Sequence, residues 1–135
     1  MSEFKVSSEL AISEVDNLIA TKKMRPAKIQ RLQACKDIVV EAIMCGDVSL
    51  DLDNGKIVQT LRFPLGENQS ITALTYNTRI AMKTLNAAFA KLKNLDGQSK
   101  IDATIEQMTN IMPSQVMEME ATDKEVAEAI AVFFT

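Results

Sequence analysis

Few side chains in this sequence have the type and spacing that chemistry needs, and each has a plainer reading. With no histidine anywhere, Ser-His and Cys-His nucleophilic pairs and imidazole metal sites are impossible. Cys35 and Cys45 fall on one predicted helix about 15 Å apart along its axis, too far to bridge and a poor metal set. They read as buried thiols of a reducing compartment. The run Asp51-Leu52-Asp53-Asn54-Gly55 has the alternating acids of a calcium loop. Its glycine comes one place early, however, and Arg62 stands where the closing glutamate belongs, so a solvated turn is the better reading. Glu118 and Glu120 are the right types for an acid and a base, but nothing around them would shift a pKa. Gly46, Gly55, Gly66 and Gly97 are isolated and make no phosphate loop. The expectation is a protein that is not an enzyme and holds no cofactor or metal.

Charge is the next candidate. Lys22, Lys23, Arg25, Lys28, Arg31 and Lys36 occur with no acid between Leu18 and Lys36, a pattern that suits phosphates. They flank the apolar arc of a helix, no aromatic residue lies among them for base stacking, and the net charge is −3. Solvated or snorkelling side chains are therefore preferred, and nucleic acid is not expected as a partner. From Glu106 onward Glu106, Glu118, Glu120, Asp123, Glu125 and Glu128 face Lys124 alone. Separated basic and acidic ends favour head-to-tail contact between copies, which closes into rings or runs into spirals.

These groups must be positioned by a chain whose 135 residues suffice for a single domain, 1–135, without staples. No secretory leader pattern opens it and no apolar run approaches the ~18 residues of a membrane span, so a soluble cytoplasmic protein is expected. Ser8 is placed to cap a helix from about Glu9 to Lys22, burying Leu10, Val15, Leu18 and Ile19. A second helix is predicted from Pro26 to a C-terminal closure at Gly46. Asp47 to Phe63 then reads as a β-hairpin. A two-residue turn at Asn54-Gly55 predicts the pairs Leu52 with Ile57, Leu50 with Gln59, Val48 with Leu61 and Asp47 with Arg62. Its apolar face, which includes Phe63, must be covered.

A long third helix is predicted from Ser70 to about Lys93, with Ile71, Leu74, Met82, Leu85, Phe89 and Leu92 on one stripe. Ser99 to Asn110 is a fourth. A short turn carries Val116 and Met119, and Thr122 with Glu125 has capping-box spacing before a final helix ending at Phe134. The class is α+β, mainly helical, with one antiparallel hairpin. Apolar groups outside the main stripes either pack within the domain, the plainer reading, or are candidates for contact: Tyr76 and Ile80 on the outer side of helix three, and Met117 and Met119. Ile130, Phe133 and Phe134, close to a terminus where domains fray, are candidates for self-association.

Two segments carry a family resemblance. The hairpin ends Thr60-Leu61-Arg62-Phe63-Pro64, and the chain finishes Val116-Met-Glu-Met-Glu-Ala-Thr-Asp123 with a helix through Phe134. This resembles the tail assembly chaperones of long-tailed, lambda-like bacteriophages (siphophages), in the short form made without a ribosomal frameshift. The resemblance implies a noncatalytic homo-oligomer that coats the long helical tape measure protein in the host cytoplasm until tail tube protein polymerises around it. It also implies absence from the mature virion. The helical pair from Glu9 to Cys45 exceeds what the motif requires. A small tail or head-tail structural adaptor and a nucleic-acid-binding regulator are the alternatives.

Overall fold

The computed structural model describes residues 4–135. Among them seven helices and one three-stranded antiparallel sheet form the expected α+β class. Helix α1 (Ser8–Lys22) starts one residue earlier than predicted, because the Ser7 hydroxyl accepts the Leu10 N–H at 3.2 Å. Ala11, Val15, Leu18 and Ile19 face the core, while Leu10 is turned outward and 52% exposed. The predicted second helix bends at Leu32, whose φ of −108° and ψ of 29° leave the helical range. It yields α2 (Pro26–Arg31), which buries no residue, and α3 (Gln33–Met44), which buries Val39, Ala42 and Ile43. Gly46 closes α3 as predicted. Its φ of +83° lets its own N–H reach Ile43 O and the Asp47 N–H reach Ala42 O.

Strands β1 (Val48–Asp51) and β2 (Lys56–Leu65) form the hairpin, but the register differs from the predicted one. Val48 pairs with Gln59, Leu50 with Ile57 and Asp51 with Lys56, so the loop is Leu52–Gly55. Gly55 alone has positive φ there, and the Asp51 carboxylate accepts the Asn54 side-chain amide at 2.8 Å. That Asx-type lock makes a longer turn than the two-residue one. A slip of two keeps the side chains of the paired residues on their faces, so Val48, Ile57 and Leu61 are buried as predicted. Asp47 still meets Arg62, at 2.7 Å, as a diagonal neighbour.

The predicted third helix is the largest correction. Its first part is strand β3 (Ile71–Asn77), paired antiparallel with β2, and only Met82–Ala90 is helical, as α4. Leu74 and Tyr76 are buried while Ala73, Thr75 and Asn77 are exposed, a period of two. Ile71 and Leu74, three apart, fit a helical stripe equally well; the unpaired side of β2 decides between the periods.

Helices α5 (Gly97–Thr109, capped by Asp96), α6 (Pro113–Glu118) and α7 (Ala121–Phe133) complete the chain. Four of the helices pack on the sheet: α1 and α3 against β1, α7 against β2 and α5 against β3. The core lies between these layers. The predicted capping box at Thr122 is replaced by Glu120, whose carboxylate accepts the Thr122 N–H at 2.7 Å.

Candidate functional site

The structure redistributes the candidate contact residues. Tyr76 is not outward on a helix but fully buried on β3, and its hydroxyl donates to Gln59 Oε1 at 2.5 Å. Burial, with a smaller push from the Asp123 charge, raises its phenol far above the ordinary value. Ile80 packs partly buried against the core and Met119 is buried. Ile130, Phe133 and Phe134 are completely covered within the chain, the two phenylalanines edge to face at 4.9 Å, so none of the three is a free self-association surface. Of the named candidates Met117 alone stands clear, at 76% exposure. Half of the basic stretch is used internally, while Lys23, Arg25 and Arg31 are exposed. The Lys22 ammonium donates to the carbonyls of Thr78 and Phe134, Lys28 to that of Thr135, and Lys36 pairs with Asp16 at 2.9 Å. Burial, then Lys28 and Arg79, lower Lys22 to about 8. Cys35 and Cys45 are free thiols, half-buried instead of buried, and burial raises the Cys35 thiol.

Asp123 is the residue that sequence reasoning missed. Between Thr60 and Leu65 a bulge in β2 interrupts the pairing with β3, which frees backbone donors. The Asp123 carboxylate, in the first turn of α7, accepts the N–H groups of Arg62 and Phe63, both at 3.0 Å. Pro64 brings no donor of its own. Asp123 is only 3% exposed, and its carbonyl accepts Gln59 Nε2 at 2.9 Å, so a polar chain runs from Tyr76 through Gln59 to α7. The bulge also turns Phe63 outward, to 53% exposure, against the expectation that it joins the covered face. Only a carboxylate that leads a helix and has a strand ending in Leu-Arg-x-Pro to serve could have signalled this joint, and both halves are the segments that carry the family resemblance. A cavity of about 250 Å³ beside the joint is lined by Asp37, Glu41, Asp47, Arg62 and Glu125.

A larger opening lies where the chain leaves apolar surface uncovered. Helix α4, Met-Lys-Thr-Leu-Asn-Ala-Ala-Phe-Ala, buries Leu85 alone. Between it and α5 runs a groove of about 750 Å³, with Ala87, Ala88 and Ala103 among its lining and Leu92 and Pro113 alongside. Side chains this small let a second backbone approach closely. The walls differ in sign: Lys83 and Lys91 belong to the α4 side, Glu106 to α5. None of these three takes part in an ion pair among the described residues. Burial, then the neighbouring Asp102, raise the Glu106 carboxyl above its usual range. Met82 and Met112, which adjoin groove residues in sequence, are 60% and 62% exposed.

No helix among the described residues is long and apolar enough to cross a membrane. The chain matches no family model, no curated protein and no solved structure.

Proposed function

We propose that this is a noncatalytic tail assembly chaperone, a self-associating protein that binds the helical tape measure protein in the host cytoplasm and is absent from the finished virion. The observation that carries the reading is the α4–α5 groove: an alanine-lined strip flanked by charges of opposite sign that form no ion pair among the described residues. An amphipathic helix with a narrow apolar stripe, acids on one flank and bases on the other, satisfies all three features. A long helical protein awaiting assembly presents such stripes repeatedly, and many copies of a small binder cover them by individually modest contacts strengthened through multivalency. The family resemblance supplies the identity of that helical protein. Support also comes from the joint, since the Leu61–Pro64 segment and the helix whose first turn carries Asp123, distant in sequence, hold one another.

Co-expression with the tape measure protein tests this. The wild-type chain is expected to raise its soluble fraction several-fold. Ala87→Glu, which puts a charge on the exposed groove side of α4, is expected to remove that gain and leave thermal melting of the chaperone unchanged. A wild-type chain that rescues nothing defeats the chaperone reading. A fully active Ala87→Glu variant moves the contact away from the groove.

A further inference from the structure

The two edges of the sheet are unlike. Strand β1 is four residues long, and Asp47, Asp51 and Asp53 lie on or beside it, so two copies of this edge would bring acids together. Strand β3 is seven residues long, and no charged side chain occurs from Asn68 to Thr78. Edge strands are ordinarily guarded by lysine, proline, brevity or a covering element. On β3 the sequence provides none of the first three, and Ala73, Thr75 and Asn77 are all exposed.

The ladder identifies which backbone groups point outward. The Thr78 N–H donates to Gly55 O at 3.3 Å, which continues the register joining Tyr76 to Ile57 and Leu74 to Gln59. Bonded pairs in an antiparallel ladder recur at every second residue. Leu74 and Tyr76 therefore bond inward to β2, and the N–H and C=O groups of Ala73, Thr75 and Asn77 face the open edge. No backbone bond ties those groups to another element among the described residues.

We propose that β3 pairs with β3 of a second copy, antiparallel and centred on Thr75, to join the two sheets into one. About that centre each Thr75 meets its own counterpart and Ala73 meets Asn77. The exposed side chains are small and uncharged, so this edge opposes itself without repulsion, and facing threonines are a favourable cross-strand pair. A second copy is the occupant because the edge is complementary to itself in charge and hydrogen bonding, whereas the acidic β1 edge is not. The inference deepens the self-association part of the proposed function. It is tested on the purified chain alone, so its failure leaves the helix-binding part standing.

Sedimentation velocity over a wide concentration range is expected to show a monomer–dimer equilibrium. Thr75→Lys, which opposes two ammonium groups at the centre, is expected to sediment as a monomer throughout while melting like the wild type when dilute. Ser49→Lys, on the other edge strand, is expected to dimerise normally. Hydrogen exchange on the wild-type chain gives a reading that needs no variant. The amides of Ala73, Thr75 and Asn77 are expected to slow by about tenfold or more as dimer replaces monomer. A chain that stays monomeric overturns the proposal, even if its β3 edge binds an extended segment of another protein. So does a dimer in which those three amides exchange at the monomer rate.

Discussion

Helices α7 and α4 are both rich in alanine and both carry phenylalanine near the C-terminal end, yet they meet different fates. α7 buries Asp123, Ala127, Ala129, Ile130, Ala131 and Phe133, because it lies across β2 and between α3 and α5. α4 buries only Leu85 and has α5 as its principal neighbour. Apolar composition makes a helix able to pack; the number of surfaces that reach it decides whether it does. The same kind of segment thus serves as core in one place and as uncovered surface in the other.

The largest test of this contrast compares two phenylalanines. Phe133→Ala is expected to destabilise by about 3–5 kcal/mol, the range for a fully enclosed ring, whereas half-buried Phe89→Ala in α4 is expected to cost about 1 kcal/mol. Urea midpoints for the two variants would show it, and equal losses would abolish the distinction. Next comes the joint that holds α7 to the sheet. Asp123→Ala leaves the Arg62 and Phe63 N–H groups without their acceptor and is expected to cost about 2–3 kcal/mol, read from the same unfolding curves. A loss below about 0.5 kcal/mol would mean that water serves those donors as well as the carboxylate does.

Lys22, which ties the ends of β3 and α7 together, sharpens the comparison through pH. Its folded value of about 8 lies below the ordinary 10.5, so the folded state gives up this proton first. The unfavourable contribution is full below about 8 and is relieved as pH rises from there toward 10.5. Lys22→Met removes the titration, so the melting difference between wild type and variant is expected to move in favour of the wild type between pH 7.5 and pH 9.5. A constant difference would mean that the two carbonyls keep the ammonium charged across that range. The smallest effect belongs to Asp47 and Arg62, a pair whose arginine side chain is half exposed. Asp47→Asn is expected to cost about 0.2–1 kcal/mol, and the cost should shrink in high salt.

What the sequence determined by itself was local or periodic. Gly46 closes α3 because few other residues tolerate its backbone angle, and the stripe Val15, Leu18 and Ile19 is buried because helical spacing leaves it no other face. The hairpin kept its inward face even though its turn was misjudged, since a slip of two residues preserves alternation. The ion pair of Asp47 with Arg62 survived for the same reason.

The tertiary structure alone decided β3, whose spacing satisfied a helix and a strand until β2 offered an edge. That choice moved Tyr76 from a presumed contact surface into the core and reduced the long third helix to α4. It also left α4 with few neighbours, and so opened the groove. Asp123 looked like an ordinary residue of a helix start until a bulge sixty residues away exposed two donors for it. Such choices are invisible to periodicity, because each depends on which backbone groups another part of the chain leaves unsatisfied.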